Sequence, residues 1–538
     1  MAVGPTRREL VALLLGAPAA AALACRPRGP ALDGELIDTG ARRGHAAVRD
    51  GGPVRVPDDR WRRAGVVIVG GGVAGLAAAW WLRRGGVDDV LVLELDDVAG
   101  GTARGGASPV TRYPWGAHYI VAPRREQAAL VDLLGEMGQL EGADAAGEPI
   151  VAEAWRCRDP EERVFYRGRW YEGLYLYAGA SRRDLDELAR FDAAIDGWVA
   201  WRDGAGRRAF ALPVGHGSDD AEAIALDRIS FAAWLDRQDL RSERLRWLCD
   251  YACRDDYGLL TADTSAWAGL FYFAARRAAP GAASQGVVTW PDGNAHLVAH
   301  LAARVRIETG AAVVDVRPAA PEGEGVEVVA IGPDGPFGVR AAAAIVATPH
   351  MVARRIAAPL RDGRRPDHVP DVGPWVVANL HLRARPHERP GGAAPAWDNV
   401  LRASPSLGYV AATHQHGRDH GPTVWTWYYP LTAPDAAATR RALASAGHAD
   451  WAEVAVADLE RAHPDLRDRL TRVDVAFWGH GMVRPRVGSV WSPARRAAAA
   501  PAGAIHFAHT DLSGIALFEE AFDHGVRAAD EILAARRA

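Results

Sequence analysis

Gly70, Gly72 and Gly75 stand at the spacing G-x-G-x-x-G within VVIVGGGVAGLAAAWWLRRGG, residues 66–86. The first glycine permits a tight turn, the second lets the backbone approach a diphosphate, and the third lets a helix pack against a strand. Gly71, Val73 and Ala74 complete the turn. The helix that starts there points unpaired N–H groups and a partial positive charge at a diphosphate. Glu94 follows Gly75 by 19 residues, where a carboxylate accepts hydrogen bonds from a ribose diol and disfavours a 2′-phosphate. This is chemistry for holding a dinucleotide, and by itself it leaves NAD and FAD both open.

Those residues need a βαβ unit to position them. Val66 to Val69 is a continuous apolar strand, Leu76 to Arg84 a helix closed by Gly85 and Gly86, and Val90 to Leu93 a second strand. From about 126 to 285 the pattern turns helical, as in DLDELARFDAAIDGWVAWRDG. Further strands follow in RVRIETGAAVVDVRP, VEVVAIGPDG and FGVRAAAAIVATP, and a separate sheet in PWVVANLHLRARP, SLGYVAATHQ and PTVWTWYYPLT. The chain closes with a strand, a loop and a long helix. A length of 538 residues calls for two or three domains.

Several of these segments resemble one family. ELDDVAGGTARGG puts Gly100 and Gly101 six and seven positions after Glu94, with Thr102 and Arg104 behind them. This is similar to the second glycine pair of the FAD-dependent amine oxidase superfamily, which includes monoamine and polyamine oxidases, phytoene desaturases and protoporphyrinogen oxidase. YPWGAHYI resembles that family's segment passing near the flavin, and AAIVATPH its strand exit. ETGAAVVDV resembles the strand whose valine, here Val313, faces the adenine. The C-terminal FAHTDLSGIALFEEAFDHGVRAA resembles the closing FAD motif. There Asp511 would meet the ribityl-diphosphate region, and a helix beginning near Phe518 would stabilise negative charge on reduced flavin. The usual arginine after the glycine pair is Thr102 here, so the resemblance leaves Arg104 as the candidate for diphosphate charge.

The resemblance implies an α/β fold with a discontinuous Rossmann-like FAD-binding domain and a substrate domain of helices and a mixed sheet. The expected FAD domain is 63–125, 286–350 and 480–538, and the substrate domain 126–285 and 351–479. It implies a resident, non-covalent FAD, because no cysteine lies near the closing motif. Trp115, His118, Trp427 and Trp478 are the candidates to line the reaction site, with Trp425, Tyr428 and His480 as neighbours. Aromatic walls orient a neutral amine and exclude water, and His118 is the candidate base. The expected reaction is hydride transfer from a small amine-type substrate to the flavin, with oxygen, a quinone or a redox protein as electron acceptor. Two alternatives stand beside it: a FAD-dependent desaturase or dehydrogenase of an apolar substrate, and a non-catalytic binding module on the same fold.

Composition bears on the choice. All 63 basic residues are arginine, so the lysine that amine oxidases of this superfamily commonly hold near the flavin is missing. Arginine, always charged and planar, is a poor replacement. A net charge of −4 gives no reason to expect nucleic acid. THQHGRDHG, with His414, His416 and His420, reads as a polar loop rather than a metal site. Cys157, Cys249 and Cys253 form no disulfide framework and read as buried small residues. At the N-terminus, TRREL precedes a short alanine-rich apolar run ending in ALAC, which resembles a twin-arginine export signal. Residues 1–25 are therefore expected to be a signal, with a lipid anchor through Cys25 or ordinary signal cleavage as its ending. Residues 26–62, rich in Gly, Pro and Arg, are expected to be a linker, and the protein to be exported to the periplasm or cell envelope.

Overall fold

Four consecutive apolar residues, Val66 to Val69, are buried on both faces, which requires a central place in a parallel sheet. The computed structural model, which describes residues 32–319, 325–363 and 368–537, puts them there. Strand Trp61–Val69 pairs in parallel with Val90–Leu93 on one side and Gly335–Val346 on the other. The seven-stranded sheet continues from Val90–Leu93 to Arg306–Glu308, and from Gly335–Val346 to Val326–Gly332 and Ala312–Pro318. Ile505–Phe507 pairs in parallel beside the end of Gly335–Val346. The twin-arginine-like stretch and Cys25 lie outside the described residues.

Two helices cover one face of this sheet. The nucleotide helix Val73–Arg84 and the C-terminal helix Phe518–Arg537 share a core with the strands, in which Val66 and Ile68 meet Ala74, Ala78, Ala528, Ala529 and Ile532. Small residues let the two helices touch backbone to backbone. A Cβ on Gly525 would stand 2.2 Å from the carbonyl oxygen of Ala74.

The second sheet has eight strands, in the order Leu36–Ile37, Leu470–Val483, Val372–Leu382, Thr423–Pro430, Gly408–Ala411, Asp398–Leu401, Glu162–Tyr166 and Arg169–Glu172. Helices Arg182–Ala200, Glu243–Tyr257 and Ala266–Ala274 build an adjoining helical core around Phe191, Cys249, Cys253 and Trp267. Two expected boundaries shift. The segment read as linker supplies the edge strand Leu36–Ile37, because its parallel pairing with Val475 and Ala476 satisfies backbone groups that composition alone does not count. The change of domain expected at 480 falls inside Leu470–Val483, which stays paired with Val372–Leu382 up to Val483.

Candidate functional site

The glycine turn is built by close approach. Gly70 takes φ +105°, and a Cβ on Gly75 would stand 1.9 Å from the Gly70 carbonyl oxygen. A Cβ on Gly72 would meet nothing within 4 Å, and one on Gly101 only the Gly72 Cα at 3.5 Å. Two glycines are thus required by the protein's own packing, and the others border open space at the N-terminus of the helix beginning at Val73. That space, bounded by backbone, fits a dinucleotide diphosphate.

The glycine pair is tied to the turn. Gly100 N–H donates to the Gly71 carbonyl at 2.8 Å, and Gly71 N–H donates to Glu94 Oε2 at 2.6 Å. The other oxygen of Glu94 accepts from Asp96 N–H at 2.8 Å, so the carboxylate that would meet a ribose is held from two sides. Burial pushes its pKa up, and those backbone donors oppose the shift. Ala311 N–H bonds the Glu94 carbonyl at 2.8 Å, which brings Val313 to the same end of the cleft. A bulge between Val313 and Asp315 interrupts pairing with Val326–Gly332. Asp511 is buried and accepts from His350 N–H at 2.7 Å, with His509 Nδ1 at 3.2 Å. Its carboxyl is lowered by the histidine and the backbone donor against a burial that raises it. The C-terminal helix begins at Phe518, which stacks on Phe522 with centroids 6.0 Å apart.

Arg104 departs from the expected role. Its guanidinium ion-pairs with Asp96 and donates to the Asp38 carbonyl at 2.6 Å. Those partners commit both terminal nitrogens to the protein. Only its buried Nε has no partner among the described residues.

The loop continues directly into a packed aromatic cluster, the candidate wall of a substrate chamber. Trp115 N–H donates to the Arg104 carbonyl at 3.0 Å and Ala117 N–H to the Thr102 carbonyl at 2.9 Å. His118 follows, stacked on Tyr428 with centroids 4.6 Å apart and tilted against Trp397 at 5.4 Å. Burial lowers its pKa to about 4, so the ring is neutral at physiological pH. A hydrogen bond to the Gly116 carbonyl opposes that shift. Trp478 donates its indole N–H to the Trp115 carbonyl at 2.6 Å and lies 5.3 Å beneath the Arg104 guanidinium. Trp115 packs in the same aromatic cluster as Tyr113, Trp397 and Tyr428. Burial also lowers the pKa of His480 to about 4.

Trp427 is not part of this chamber. Strand side chains alternate, so Tyr428 faces His118 while Trp427 points to the opposite face. There it is buried against helix His448–Leu459 and donates to Asp458 at 3.0 Å. Trp425 lies on that same far face, stacked on Tyr409 at 4.0 Å. Trp427→Phe is expected to cost about 1–3 kcal/mol of stability through the lost buried hydrogen bond and to leave KM unchanged. Chemical denaturation beside steady-state kinetics checks both. His414 bonds the Arg158 carbonyl at 2.8 Å, as a loop histidine does.

Sequence reading missed the chamber's far wall. Asp255 and Asp256 end helix Glu243–Tyr257, and Glu162 and Asp398 begin two neighbouring strands that pair side by side. Asp256 is held by Arg276 at 2.9 Å and lies 3.5 Å from the Tyr119 hydroxyl. Asp398 accepts from the Tyr251 hydroxyl at 2.9 Å. Asp255 and Glu162 have no hydrogen bond or ion pair to their carboxylates among the described residues. Burial, with repulsion from their acidic neighbours, raises the pKa of both well above the usual range. Asp398 is pushed up to about 7, chiefly by burial. The four carboxyl groups lie in one neighbourhood with Tyr119, Tyr272 and Tyr428, where acidic neighbours raise the pKa values and Arg276 and Arg254 oppose the rise at Asp255. Nothing in their local patterns marks them. Acidic residues on a helix and at strand starts ordinarily face solvent.

The family model described as flavin containing amine oxidoreductase matches residues 73–533. No curated protein matches the chain in sequence. Among solved structures, putrescine oxidase bound to putrescine is 20% identical, with a TM-score of 0.62 over 88% of this chain and 100% of that one. Cyclohexylamine oxidase from Brevibacterium oxydans IH-35A is 17% identical, with a TM-score of 0.58 over 88% of this chain and 98% of that one. A CLA-producing fatty acid isomerase from P. acnes is 14% identical, with a TM-score of 0.61 over 87% of this chain and 98% of that one. At these identities the structures share a fold with this chain.

Proposed function

Because the chain belongs to the flavin-containing amine oxidoreductase family and is a FAD-dependent oxidoreductase, we propose that it oxidises a small cationic amine drawn into the acidic aromatic chamber. One observation carries the choice of amine over an apolar substrate. Burial disfavours the charged forms of Asp255 and Glu162, whose carboxyls have no partner among the described residues, and of Asp398 beside them, a cost that an ammonium group offsets and a hydrocarbon chain does not.

Bound FAD supplies the two-electron acceptor. Gly70 to Gly75, Gly100, Gly101 and Glu94 would hold its adenosine diphosphate half, with Val313 at the adenine end and Asp511 nearer the flavin. The protein's remaining work is to bind, orient and dry the substrate. The carboxyl groups at the far wall ionise against the ammonium group, whose charge offsets the burial that raises their pKa. Tyr428, His118 and Trp397 give the carbon skeleton flat walls and exclude water. Neutral His118 adds no opposing charge. Its bond to the Gly116 carbonyl fixes one ring nitrogen as donor and leaves the other to accept a hydrogen bond from the substrate amine.

Export at the twin-arginine-like N-terminus, and electron transfer to oxygen, a quinone or a redox protein, belong to the same proposal. The decisive experiment is anaerobic reduction of the holoenzyme by monoamines, diamines, amino acids, unsaturated fatty acids and polyenes. Flavin bleaching by an amine supports the proposal. Bleaching by an apolar compound alone rejects it.

The acidic wall also sets a pH dependence. Asp398, with its pKa raised to about 7, gains a proton as pH falls through neutrality, and the wall then loses charge while the amine keeps its own. KM for the amine is expected to rise as pH falls from about 8 to about 6. Initial rates across that range check the sign, and a KM that falls on acidification would contradict it.

A further inference from the structure

We infer that residues 33–50, which precede the family-matched region, form a clasp that closes the adenosine end of the FAD site and slows release of the cofactor. The segment is anchored at both ends on different domains. At its start, Val473 and Val475 N–H donate to the carbonyls of Asp33 and Glu35 at 2.8 and 2.9 Å. Thr39 Oγ1 then bonds the Phe477 carbonyl at 3.1 Å. All three anchors lie on strand Leu470–Val483, the strand that carries Trp478 and His480.

The chain next leaves that sheet through Gly40, at φ +69°, and crosses to the dinucleotide domain. Arg43 Nη1 donates to the Leu95 carbonyl at 2.6 Å and to Asp97 at 3.0 Å. Gly44 lies so close that a Cβ would be 3.1 Å from the Leu95 side chain. Leu95 directly follows the candidate ribose carboxylate, Glu94. The Asp38 carbonyl takes up Arg104, the arginine behind the second glycine pair. Beyond the crossing, Val48 packs on the core that contains Val313, Val316, Ala353 and Ile356.

The segment therefore touches, in succession, the substrate sheet, the residue beside Glu94 and the core around Val313. A cofactor with its ribose at Glu94 and its adenine at Val313 cannot leave past this edge unless these contacts open. The polar anchors at Arg43 and Thr39 are a few bonds at the solvent edge. A clasp of that strength slows release without preventing it.

The test uses full-length holoenzyme and Arg43→Ala, Thr39→Ala and the double variant, with a chain starting at residue 51 as the severe case. Flavin release after dilution is followed by its fluorescence, and the stabilisation that added FAD gives to apo-protein by its melting midpoint. Release is expected to be about tenfold faster in the double variant, one decade for about 1.4 kcal/mol. The FAD-induced rise in midpoint should shrink while the midpoint of apo-protein stays put. Parental release rates in the double variant overturn the inference, as does an apo-protein midpoint that falls in step with retention. If the severe truncation fails to fold, the point variants decide. Glu94→Gln is the companion measurement. Unchanged FAD affinity in that variant means the adenosine lies elsewhere, and the clasp is then rejected with it.

Discussion

Gly72→Val is expected to give a folded protein without flavin. A Cβ at residue 72 meets no protein atom within 4 Å, and the backbone there is extended at φ −75°, so the apo-protein accepts a side chain without strain. The same side chain fills the space where a diphosphate must approach the helix N-terminus. FAD affinity should fall at least about a thousandfold, or about 4 kcal/mol, with an unchanged far-ultraviolet spectrum and apo-protein melting midpoint. Gly75→Ala is the contrasting change. Its Cβ would stand 1.9 Å from the Gly70 carbonyl oxygen, so loss of flavin there comes together with loss of stability. A yellow Gly72→Val protein with parental affinity would show that the dinucleotide lies elsewhere.

Asp255→Asn with Asp398→Asn should separate substrate capture from cofactor binding. Neither residue touches the glycine turn or Glu94, so FAD content should be unchanged. Replacing both carboxyl groups removes two partners that can ionise against an ammonium group at the far wall. Each close charge pair of this kind is worth about 1.5 kcal/mol or more. The double variant should therefore lose about a hundredfold in kcat/KM for a cationic amine, most of it in KM. The pH dependence of KM between about 6 and 8 should flatten at the same time, because the group pushed up to about 7 is gone. A variant with parental kcat/KM for its amine would remove the acidic wall from substrate recognition. Reduction of the parent by no amine at all would reject the wider proposal instead.

The dinucleotide half of the site was legible in sequence because its constraints are local. A strand, a turn of three spaced glycines and a carboxylate at the end of the next strand are separated by fixed numbers of residues. The structure keeps Gly71, Glu94 and Gly100 in one hydrogen-bonded chain. The chamber was only half legible. His118 and Tyr428 emerged from their motifs, but Trp427 did not belong, because a run of aromatics on a strand says nothing about which alternate face meets the ligand. Asp255, Glu162 and Asp398 carry no local signal. They come from a helix and two strands far apart in the chain, and only the tertiary fold turns them inward together. The segment at 33–50 was hidden for another reason. Its order comes from pairing with strand Leu470–Val483, and composition cannot register a partner so distant.

The contact between Gly525 and Ala74 has a consequence for how the molecule is made. The face of the nucleotide helix that must be covered before the cleft takes its final shape is covered by helix Phe518–Arg537, far along the chain. During synthesis the glycine turn leaves the ribosome early, yet its supporting layer follows only more than 400 residues later. Until then Ala74, Ala77 and Ala78 present an apolar strip with no permanent cover. The cofactor can be locked in only once the covering helix has been made, and a chain cut before Phe518 should be a colourless, aggregation-prone product.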